Sequence, residues 1–382
     1  MHSSVRSKPQ APVFFSIFST AALVLLAGAG ILVFPGAAGD GARNGLSFCG
    51  EILIPSIFPF MVLSSFVVKS GLSNAISKML DPITRRLFCL PGCTGATIVI
   101  GMIGGYPAGA RGIKALLERG EISPSQAERM LSFSVGAGPA FVITVVGSGL
   151  LGSSQSGLIL FASQCIAAIL IGILSGFLAR RKGETCEKGG RSPAQKCDIS
   201  TALVESSADS TSGMINMCAF VVLFSAVLNI IIQSGLGDAI TGFLMALGVP
   251  QSTAASLIPI LLEVTSGCTN AANLGASPFL ISFALGWAGA CVHFQISASL
   301  TNVTFSRMKF TFYRLLHGLF AAAVSYLGFS LFPEAAEVFS TTAKPLSAGF
   351  AATASGSVML ILVCALFVLS ITPKKLDFPR KR

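Results

Sequence analysis

The feature that most constrains this chain is the distribution of its basic residues between long apolar segments. The sequence contains 26 Lys and Arg residues, and all except Arg43 and Lys344 fall in six clusters. These clusters are Arg6–Lys8, Lys69–Arg86, Arg111–Arg129, Arg180–Lys196, Arg307–Arg314 and Lys374–Arg382. Short loops rich in Lys and Arg stay in the cytoplasm. The clusters therefore assign a side of the membrane to each loop and predict a chain that crosses the bilayer many times.

The composition supports a chain that lies in lipid and excludes other classes of protein. Hydrophobic residues make up 52% of the sequence and charged residues 11%, whereas a soluble domain has about 25% charged residues. The basic residues that give the net charge of +10 lie beside apolar segments rather than on one face. The sequence therefore predicts no nucleic-acid partner. The partner that it predicts is the lipid bilayer.

Catalytic and metal-binding motifs are missing from the sequence. It contains no His-Glu-x-x-His, no Gly-x-Ser-x-Gly and no P-loop, so we predict that the protein is not an enzyme. Cys89 and Cys93 have no nearby His or second Cys pair, and the other cysteines lie mostly in apolar segments or basic loops. The sequence therefore predicts no metal site, no disulfide framework and no cofactor.

Eight membrane spans and two re-entrant stretches place every basic cluster on the cytoplasmic side when the N-terminus starts there. The spans are predicted at about 13–35, 50–70, 130–151, 157–179, 212–234, 277–298, 312–332 and 357–372. The first is longer than the ~7–15 residues of a signal h-region, so we expect it to remain as a span. Both termini are then cytoplasmic in the plasma membrane, and residues 36–46 and 235–251 form external loops.

Two apolar stretches are predicted to enter the membrane and leave on the side they came from. Residues 87–110 lie between two basic clusters, and the Gly and Pro residues of Gly104–Gly109 interrupt a helix. Residues 252–275 precede a span that must end inside, so this second stretch enters from outside. It carries Glu263 in an otherwise apolar run, followed by a series of small polar residues.

An internal repeat of opposite orientation supports this topology. Ser70-Gly71-Leu72 follows the second span, and Ser234-Gly235-Leu236 follows the fifth. Phe133–Val142 and Phe283–Val292 then match at four of ten positions. Inverted repeats with broken helices at corresponding positions indicate a substrate site near the bilayer midplane. The predicted fold is an all-α polytopic membrane protein with about eight transmembrane helices and two re-entrant helical hairpins in inverted-topology repeats.

The same pattern divides the chain into five parts. Residues 1–46 are the first span and an external loop, and residues 47–182 are the first repeat of one helix, a hairpin and two helices. Residues 183–199 form a polar cytoplasmic linker. Residues 200–332 are the inverted second repeat, and residues 333–382 contain an external loop, the last span and a basic tail.

The candidate substrate-binding residues lie in the two re-entrant stretches. Broken helices free backbone groups that lipid cannot satisfy, and half-helix ends can bind ions or solutes. Glu263 is costly at membrane depth and is a candidate proton carrier, cation ligand or acceptor for solute hydroxyls. The alternatives are a plain loop at the glycines, a carboxylate that reaches water, and polar residues that only cap helices. The candidates are Gly104, Gly105, Tyr106, Pro107, Gly109, Glu263, Thr265, Ser266, Gly267, Thr269 and Asn270.

Further candidates lie in the third and sixth spans. Gly136, Gly138 and Pro139 predict a helix break, and Gly286 lies at the corresponding place in the second repeat. Packing glycines explain the same residues without a break. His293 is either a hydrogen-bond partner between helices or a proton relay. Between the spans, Ser123 and Pro124 predict the start of a short helix against the membrane.

Several of these motifs resemble the sporulation integral membrane protein YlbJ family, which belongs to the wider nucleoside-recognition (Gate) group. The motifs are Pro55–Phe60, Asp81–Phe88, Leu90–Gly92, Gly105–Arg111 and Glu128–Phe133. The resemblance covers roughly residues 47–330. This chain departs from the family at Val135–Gly138, where the family tends to carry Asn and Ser.

The resemblance implies a fold related to concentrative nucleoside transporters and a place in the membranes around a developing spore. From the residues and this resemblance we predict a secondary transporter of a small polar, nucleoside-like solute, with H⁺ or Na⁺ as coupling ion. The alternative is a scaffold for assembly of the spore envelope that transports nothing. The further partners considered are a second copy of the chain or other membrane proteins of the spore envelope.

Overall fold

A computed structural model describes residues 24–184, 198–300 and 303–336. The regular secondary structure in these ranges is entirely helical. Five helices in these ranges are long and apolar enough to cross a membrane. They are Pro35–Lys69, Ser154–Arg181, Ile199–Gln233, Pro278–Ser299 and Arg307–Leu331. The prediction of an all-α polytopic membrane protein is confirmed. The eighth predicted span and most of residues 183–199 lie outside the described residues, as does part of the first span.

The helices follow one another with short connections. In chain order they are α1 (Val24–Val33), α2 (Pro35–Lys69), α3 (Leu72–Ile83), α4 (Thr94–Ile103), α5 (Tyr106–Glu118), α6 (Pro124–Leu131), α7 (Ala140–Leu150), α8 (Ser154–Arg181), α9 (Ile199–Gln233), α10 (Leu236–Ala246), α11 (Gln251–Leu262), α12 (Val264–Asn273), α13 (Pro278–Trp287), α14 (Gly289–Ser299), α15 (Arg307–Leu331) and α16 (Pro333–Ala336). Helix α2 contains a π-helical turn at Cys49–Leu53, and α7 is π-helical throughout.

Helices α2–α8 and α9–α15 repeat the same order of elements. Each half begins with a long helix that ends at a left-handed glycine, Gly71 with φ 80° and Gly235 with φ 75°. Glycine suits this conformation because it has no Cβ. A short helix, a pair of short helices, an interrupted helix and a second long helix then follow in both halves.

The first long helices of the two halves, α2 and α9, pack side by side in opposite directions. Cys49 Sγ lies 3.9 Å from the carbonyl oxygen of Cys218. Further along α2, Lys69 Nζ lies 2.7 Å from Asp209 Oδ2, which is earlier in α9. Corresponding helices that run antiparallel are what an inverted repeat predicts.

The second long helices, α8 and α15, are antiparallel as well. The His317 ring in α15 contacts the backbone carbonyl of Gln164 in α8 at 3.2 Å. The start of α8 meets the chain just beyond α15, where Ser156 Oγ donates to the carbonyl of Ala335 at 2.7 Å. Both pairs of repeat-related helices therefore have the relative direction of an inverted duplication.

Basic residues from distant parts of the chain meet on one face of the molecule, here called the basic face. Lys69 pairs with Glu205 and Asp209, Arg129 pairs with Glu184, and Lys309 pairs with Glu128. In addition, Arg111 Nη1 donates to the Asp209 carbonyl at 3.0 Å. A common face for separate basic clusters is what the positive-inside distribution predicts.

The structure corrects the expected external loop at residues 36–46. These residues are helical within α2, because their glycines allow a close approach to α9. A Cβ on Gly41 would lie 2.5 Å from the Ser225 carbonyl oxygen, and one on Gly45 would lie 2.9 Å from Val222 Cα. The glycines that suggested a loop are therefore contact residues between helices.

The structure also corrects the second external loop and several helix ends. Helix α10 (Leu236–Ala246) occupies most of residues 235–251. Helix α9 starts at Ile199 rather than near 212, and α15 starts at Arg307 rather than near 312. Ser306 caps α15 by accepting from Lys309 N at 3.3 Å. Helix α15 therefore begins before the apolar part of its span, at a polar cap that hydropathy does not report.

The third predicted span, 130–151, is divided. Helix α6 begins at a capping box in which Ser123 and Gln126 bond each other's backbone. An unwound segment from 132 to 139 follows, and α7 (Ala140–Leu150) completes the element. The predicted helix start at Ser123 and Pro124 agrees with the structure.

Candidate functional site

Helices α4 and α5 form a helical hairpin, hairpin 1, whose turn is Gly104–Gly105. Gly105 has φ 82° and ψ 177°, a conformation that favours glycine. Helices of 10 and 13 residues are roughly 15 and 20 Å long, short of the ~30 Å hydrocarbon core. At the open end, Cys93 Sγ lies 3.8 Å from the Glu121 carbonyl, so the chain leaves the hairpin close to where it entered.

Helices α11 and α12 form hairpin 2, whose turn is the single extended residue Glu263. Its side chain is buried, and both carboxylate oxygens accept backbone N–H groups of the following helix. The distances are 2.9 Å from Thr265 N and 2.6 Å from Ser266 N. Negative charge at a helix N-terminus is stabilising. Glu263 is thus the N-cap that starts α12.

A break in a neighbouring helix packs against the turn of each hairpin. Break 1 is the unwound segment 132–139, and break 2 is Ala288–Gly289, with φ 73° and 71°. A Cβ on Gly138 would lie 2.6 Å from the Ile103 carbonyl oxygen, and a Cβ on Gly289 would lie 3.0 Å from Glu263 Cα. Each half of the molecule therefore contributes one hairpin turn and one break that touch each other.

Arg314 joins the two halves at these breaks. Its guanidinium donates to the carbonyl of Val135 in break 1 and to the carbonyl of Gly286 in the last turn before break 2. The guanidinium carbon lies 5.8 Å from the centre of the Tyr106 ring. Tyr106 in turn donates from its hydroxyl to the Leu285 carbonyl at 2.6 Å. The side chain of Arg314 is completely buried.

Arg314 was not predicted as a site residue, because in the sequence it belongs to the basic cluster Arg307–Arg314. Helix α15 begins at Arg307, so Arg314 lies about two turns inside the helix. The available signal was its position within the apolar run that follows Lys309. A basic residue among apolar residues at that depth indicates a function or a buried partner.

A central cavity of about 50 Å³ lies where both hairpin turns meet break 1. Its lining includes residues from hairpin 1, hairpin 2 and break 1, with apolar side chains of α2 and α9. Six of the predicted substrate-binding residues line it, namely Gly104, Gly105, Tyr106, Pro107, Glu263 and Thr265, and so does the predicted helix-break residue Gly138. A cavity of this size holds a few water molecules, so it has no room for a larger solute in the described conformation.

A second cavity, of about 270 Å³, lies between hairpin 2 and the end of α2 that is distant from Lys69. We call it the outer cavity. It shares Val221, Glu263 and Thr265 with the central cavity. Its lining includes the polar residues Ser266, Thr269, Asn270, Asn273, Asn44 and Ser225.

A third cavity, of about 500 Å³, lies towards the basic face and is called the inner cavity. It shares Pro107, Met217 and Gln295 with the central cavity. Its charged lining residues are Arg111, Lys114, Glu118 and Asp209. Because neighbouring cavities share lining residues, the three form a row from one face of the molecule to the other, and the central one is the narrowest.

Two predicted site glycines pack inside the hairpins and line none of these three cavities. A Cβ on Gly109 would lie 2.2 Å from the Ser134 carbonyl oxygen, so this glycine lets hairpin 1 approach break 1. A Cβ on Gly267 would lie 2.7 Å from Ile260 Cα, so this glycine holds the two helices of hairpin 2 together. Sequence alone does not distinguish a glycine that lines a site from one that allows packing.

Three of the predicted helix-break residues lie in a break, and the fourth is a glycine that allows close packing. Gly136, Gly138 and Pro139 lie in break 1. Gly286 precedes break 2, and a Cβ there would lie 2.4 Å from Gly318 Cα. The absence of a side chain at Gly286 therefore allows α13 to contact α15, and its carbonyl accepts a hydrogen bond from Arg314.

His293 packs against aromatic side chains. Its ring centre lies 4.7 Å from that of Trp287 and 5.2 Å from that of Phe310, both at edge-on angles. It lines none of the three cavities, and Nε2 has no hydrogen-bond partner among the described residues. This position gives the relay hypothesis no support.

The described residues contain no cluster of three or more His, Cys, Asp or Glu side chains that could hold a metal ion. The site instead offers one buried carboxylate, one buried guanidinium, short hydroxyl and amide side chains, and apolar walls. A few polar groups among apolar walls are typical of small-molecule sites.

Comparison with known proteins gives matches that agree with the resemblance described from the sequence. The nucleoside recognition (Gate) family model matches residues 52–176, which lie in the first repeat. The sporulation integral membrane protein YlbJ of Bacillus subtilis (strain 168) is 24% identical over 326 residues, covering 79% of this chain and 80% of that protein. The predicted resemblance to the YlbJ and Gate proteins is thereby confirmed.

Two solved structures are also similar to this chain. One is a doubly substituted CNTnw in an outward-facing state, with 12% identity, a TM-score of 0.44, and coverage of 84% of this chain and 87% of that chain. The other is CNTnw in an inward-facing substrate-bound state, with 13% identity, a TM-score of 0.41, and coverage of 88% of each chain.

Proposed function

We propose that this protein is a secondary transporter that moves a small polar solute along the row of three cavities. The observation that supports it best is the small central cavity, which is lined by both hairpin turns and adjoins a larger cavity on each side. Transporters built from inverted repeats bind their substrates at such broken helices and open alternately to the two sides. The nucleoside recognition match over residues 52–176 makes nucleosides the first solutes to test.

The chemistry of the cavities suits a solute with an apolar ring and several hydroxyl groups. Apolar residues such as Ile57, Phe60 and Phe141 line the central cavity and can pack against a flat ring. On the outer side, Glu263 and the hydroxyl and amide groups of α12 can bind sugar hydroxyls. A base linked to a sugar has both parts.

The central cavity is too small for such a solute, so transport requires that the hairpins move. In our proposal, movement of hairpin 2 opens the central cavity to the outer cavity, and movement of hairpin 1 opens it to the inner cavity. Glu263 moves with hairpin 2 because its carboxylate caps α12. The proposal includes H⁺ or Na⁺ as coupling ion, and a protonated Glu263 is the way in which H⁺ would act.

A spore-related role belongs to the same proposal and is supported by the similarity to YlbJ, whose name records sporulation. The protein would then lie in the plasma membrane or in the membranes around the forespore, with both termini cytoplasmic. The alternative is a membrane scaffold for spore-envelope assembly that transports nothing, acting as a homo-oligomer or with other envelope proteins.

Uptake into proteoliposomes tests the proposal. We expect wild-type protein to take up at least one radiolabelled nucleoside, and Glu263→Gln to reduce the initial rate at least tenfold. Glutamine keeps the size of the side chain but loses the charge that caps α12. The matched control is Glu51→Gln, which changes an exposed carboxylate that accepts a hydrogen bond from Ser47 and lines none of the three cavities.

Two outcomes would contradict parts of this proposal. Uptake that is unchanged in Glu263→Gln would remove this carboxylate from the mechanism. If the folded wild type takes up no nucleoside, sugar or ion, the scaffold becomes the better account.

A further inference from the structure

The most unusual charged group in the described residues is the guanidinium of Arg314. It is the largest side chain in this part of the protein with less than 2% exposure. None of the ion pairs found among the described residues includes Arg314. An arginine side chain stays protonated under all ordinary conditions. The molecule therefore holds a permanent positive charge at its centre.

Backbone carbonyls are the groups that bind this charge. Val135 lies in the unwound segment of break 1, and Gly286 lies in the last turn before break 2. Carbonyls at such interruptions lack the partner that a continuous helix supplies. In transporters with discontinuous helices, freed carbonyls of this kind coordinate Na⁺ or serve H⁺ coupling.

The guanidinium therefore occupies the place where a bound cation would otherwise lie. An additional Na⁺ on the same carbonyls would face a like charge within a few ångströms, and such repulsion is large in a buried environment. The Tyr106 ring beside the guanidinium adds a contact that favours a cation. Both carbonyls already accept a hydrogen bond from a positively charged donor, so they are poor ligands for a second cation.

We infer that Arg314 is a resident cation of the two helix breaks and that Na⁺ does not bind there. It links the breaks of both repeats while hairpins 1 and 2 move around it. For transport, which rests on the function proposed above, the consequence is that no Na⁺ gradient drives uptake through these carbonyls. In transporters of this kind the helix breaks are where Na⁺ is coordinated, so we expect uptake not to depend on Na⁺ and narrow the coupling ion of the proposed function to H⁺.

The first test measures thermal stability of the detergent-purified full chain in NaCl and in choline chloride at equal ionic strength. We expect the same melting temperature for the wild type in both salts. Arg314→Ala should melt several degrees lower in choline, and NaCl or low millimolar guanidinium chloride should recover part of that loss. Guanidinium should not stabilise the wild type, in which the site is filled.

Two further variants keep the test decisive. Arg314→Lys retains a charge at this position, so it should melt between the wild type and Arg314→Ala and show no preference for NaCl. Lys309→Ala removes a positive charge from an exposed position of the same helix and should respond to the salts as the wild type does. If Arg314→Ala does not fold, the wild type and Arg314→Lys still decide the question.

The second test measures uptake with and without an inward Na⁺ gradient. We expect equal initial rates for the wild type. Stabilisation of the wild type by Na⁺ over choline, or uptake that requires the gradient, would overturn the inference while leaving a transport function intact. If no solute is taken up but the stability pattern holds, the transport function fails and the resident cation remains.

Discussion

Single glycines determine how closely break 1 approaches hairpin 1. A Cβ on Gly138 would lie 2.6 Å from the Ile103 carbonyl oxygen and 3.1 Å from Gly105 N. We expect Gly138→Ala to push the break away from the turn of hairpin 1, because a methyl group forced into a packed contact costs about 1–3 kcal/mol. The melting temperature should fall by several degrees, and nucleoside uptake should fall with it.

Gly136 provides the matched control for this prediction. It lies in the same break, yet a Cβ there would meet no atom within 4 Å. Gly136→Ala should therefore melt within about 1 °C of the wild type, since changes without a new contact have small effects. Equal losses in the two variants would mean that backbone freedom in the break, and not the close contact at Gly138, is what matters.

The charged residues of the site differ in how visible they are in the sequence. Glu263 could be predicted because it is a lone ionisable residue in an apolar run. Arg314 could not be found in the same way, because it follows Arg307 and Lys309 and has the sequence pattern of a topology-determining cluster. What separates Arg314 from them is its depth, since α15 begins at Arg307 after the Ser306 cap and Arg314 lies about two turns further along the helix.

An ion pair fastens the connection between α6 and α15 on the basic face. Glu128 accepts Ser306 N at 3.0 Å and Lys309 Nζ at 2.8 Å. Partial burial alone would raise the pKa of Glu128, but the hydrogen bonds from Lys309 and Ser306 and the charge of Lys309 outweigh it and lower the pKa. The ionised form is therefore the one that stabilises this connection.

The lowered pKa fixes the direction of a pH effect. A carboxyl whose pKa is lower in the folded state stabilises the protein above its unfolded value, about 4.3 for Glu, and loses that contribution as the pH falls through the folded value. Glu128→Gln should lower stability at pH 7 by at most about 1 kcal/mol, since the pair is partly exposed. The difference in melting temperature from the wild type should shrink when the pH is lowered below about 4.

Glu118→Gln is the control, because Glu118 pairs only within α5, with Lys114 at 3.9 Å. It should leave the melting temperature nearly unchanged at pH 7. A difference between Glu128→Gln and the wild type that grows as the medium becomes acidic would contradict this account of the contact.

Helix interruptions were easier to predict than helix ends. Gly104–Gly105 and Gly138-Pro139 combine residues that a continuous helix tolerates poorly, and the structure is interrupted at both places. That residues 36–46 are helical was not predicted, because glycine occurs both in loops and at close contacts between helices. Gly41 and Gly45 acquire that role only through contact with α9, which lies far away in the sequence.

At the scale of the whole molecule, the inverted order of the repeats accounts for the row of cavities. Each half supplies a hairpin turn that touches its own break, Gly104–Gly105 at Gly138 and Glu263 at Gly289. Because α2 and α9 are antiparallel, as are α8 and α15, the two hairpins approach the centre from opposite faces. Such an arrangement allows access from each side in turn, and it depends on both hairpins being re-entrant.

Labelling of single cysteines by a membrane-impermeant maleimide tests directly whether both hairpins are re-entrant. Four exposed positions flank the hairpins: Arg86 and Arg119 flank hairpin 1, and Gln251 and Asn273 lie at the open end of hairpin 2. We expect Gln251→Cys and Asn273→Cys to react in intact cells. Arg86→Cys and Arg119→Cys should react only after the cells are permeabilised, since the distribution of basic residues predicts that this side is cytoplasmic.

The two positions that flank each hairpin serve as controls for one another. The wild-type protein gives the background labelling of the native cysteines. A hairpin that turns back within the membrane requires that both of its flanks react from the same side. If the two flanks of either hairpin react from opposite sides, that stretch crosses the membrane completely. The two repeats would then have unequal numbers of crossings, and the central cavity would lose the symmetry on which alternating access depends.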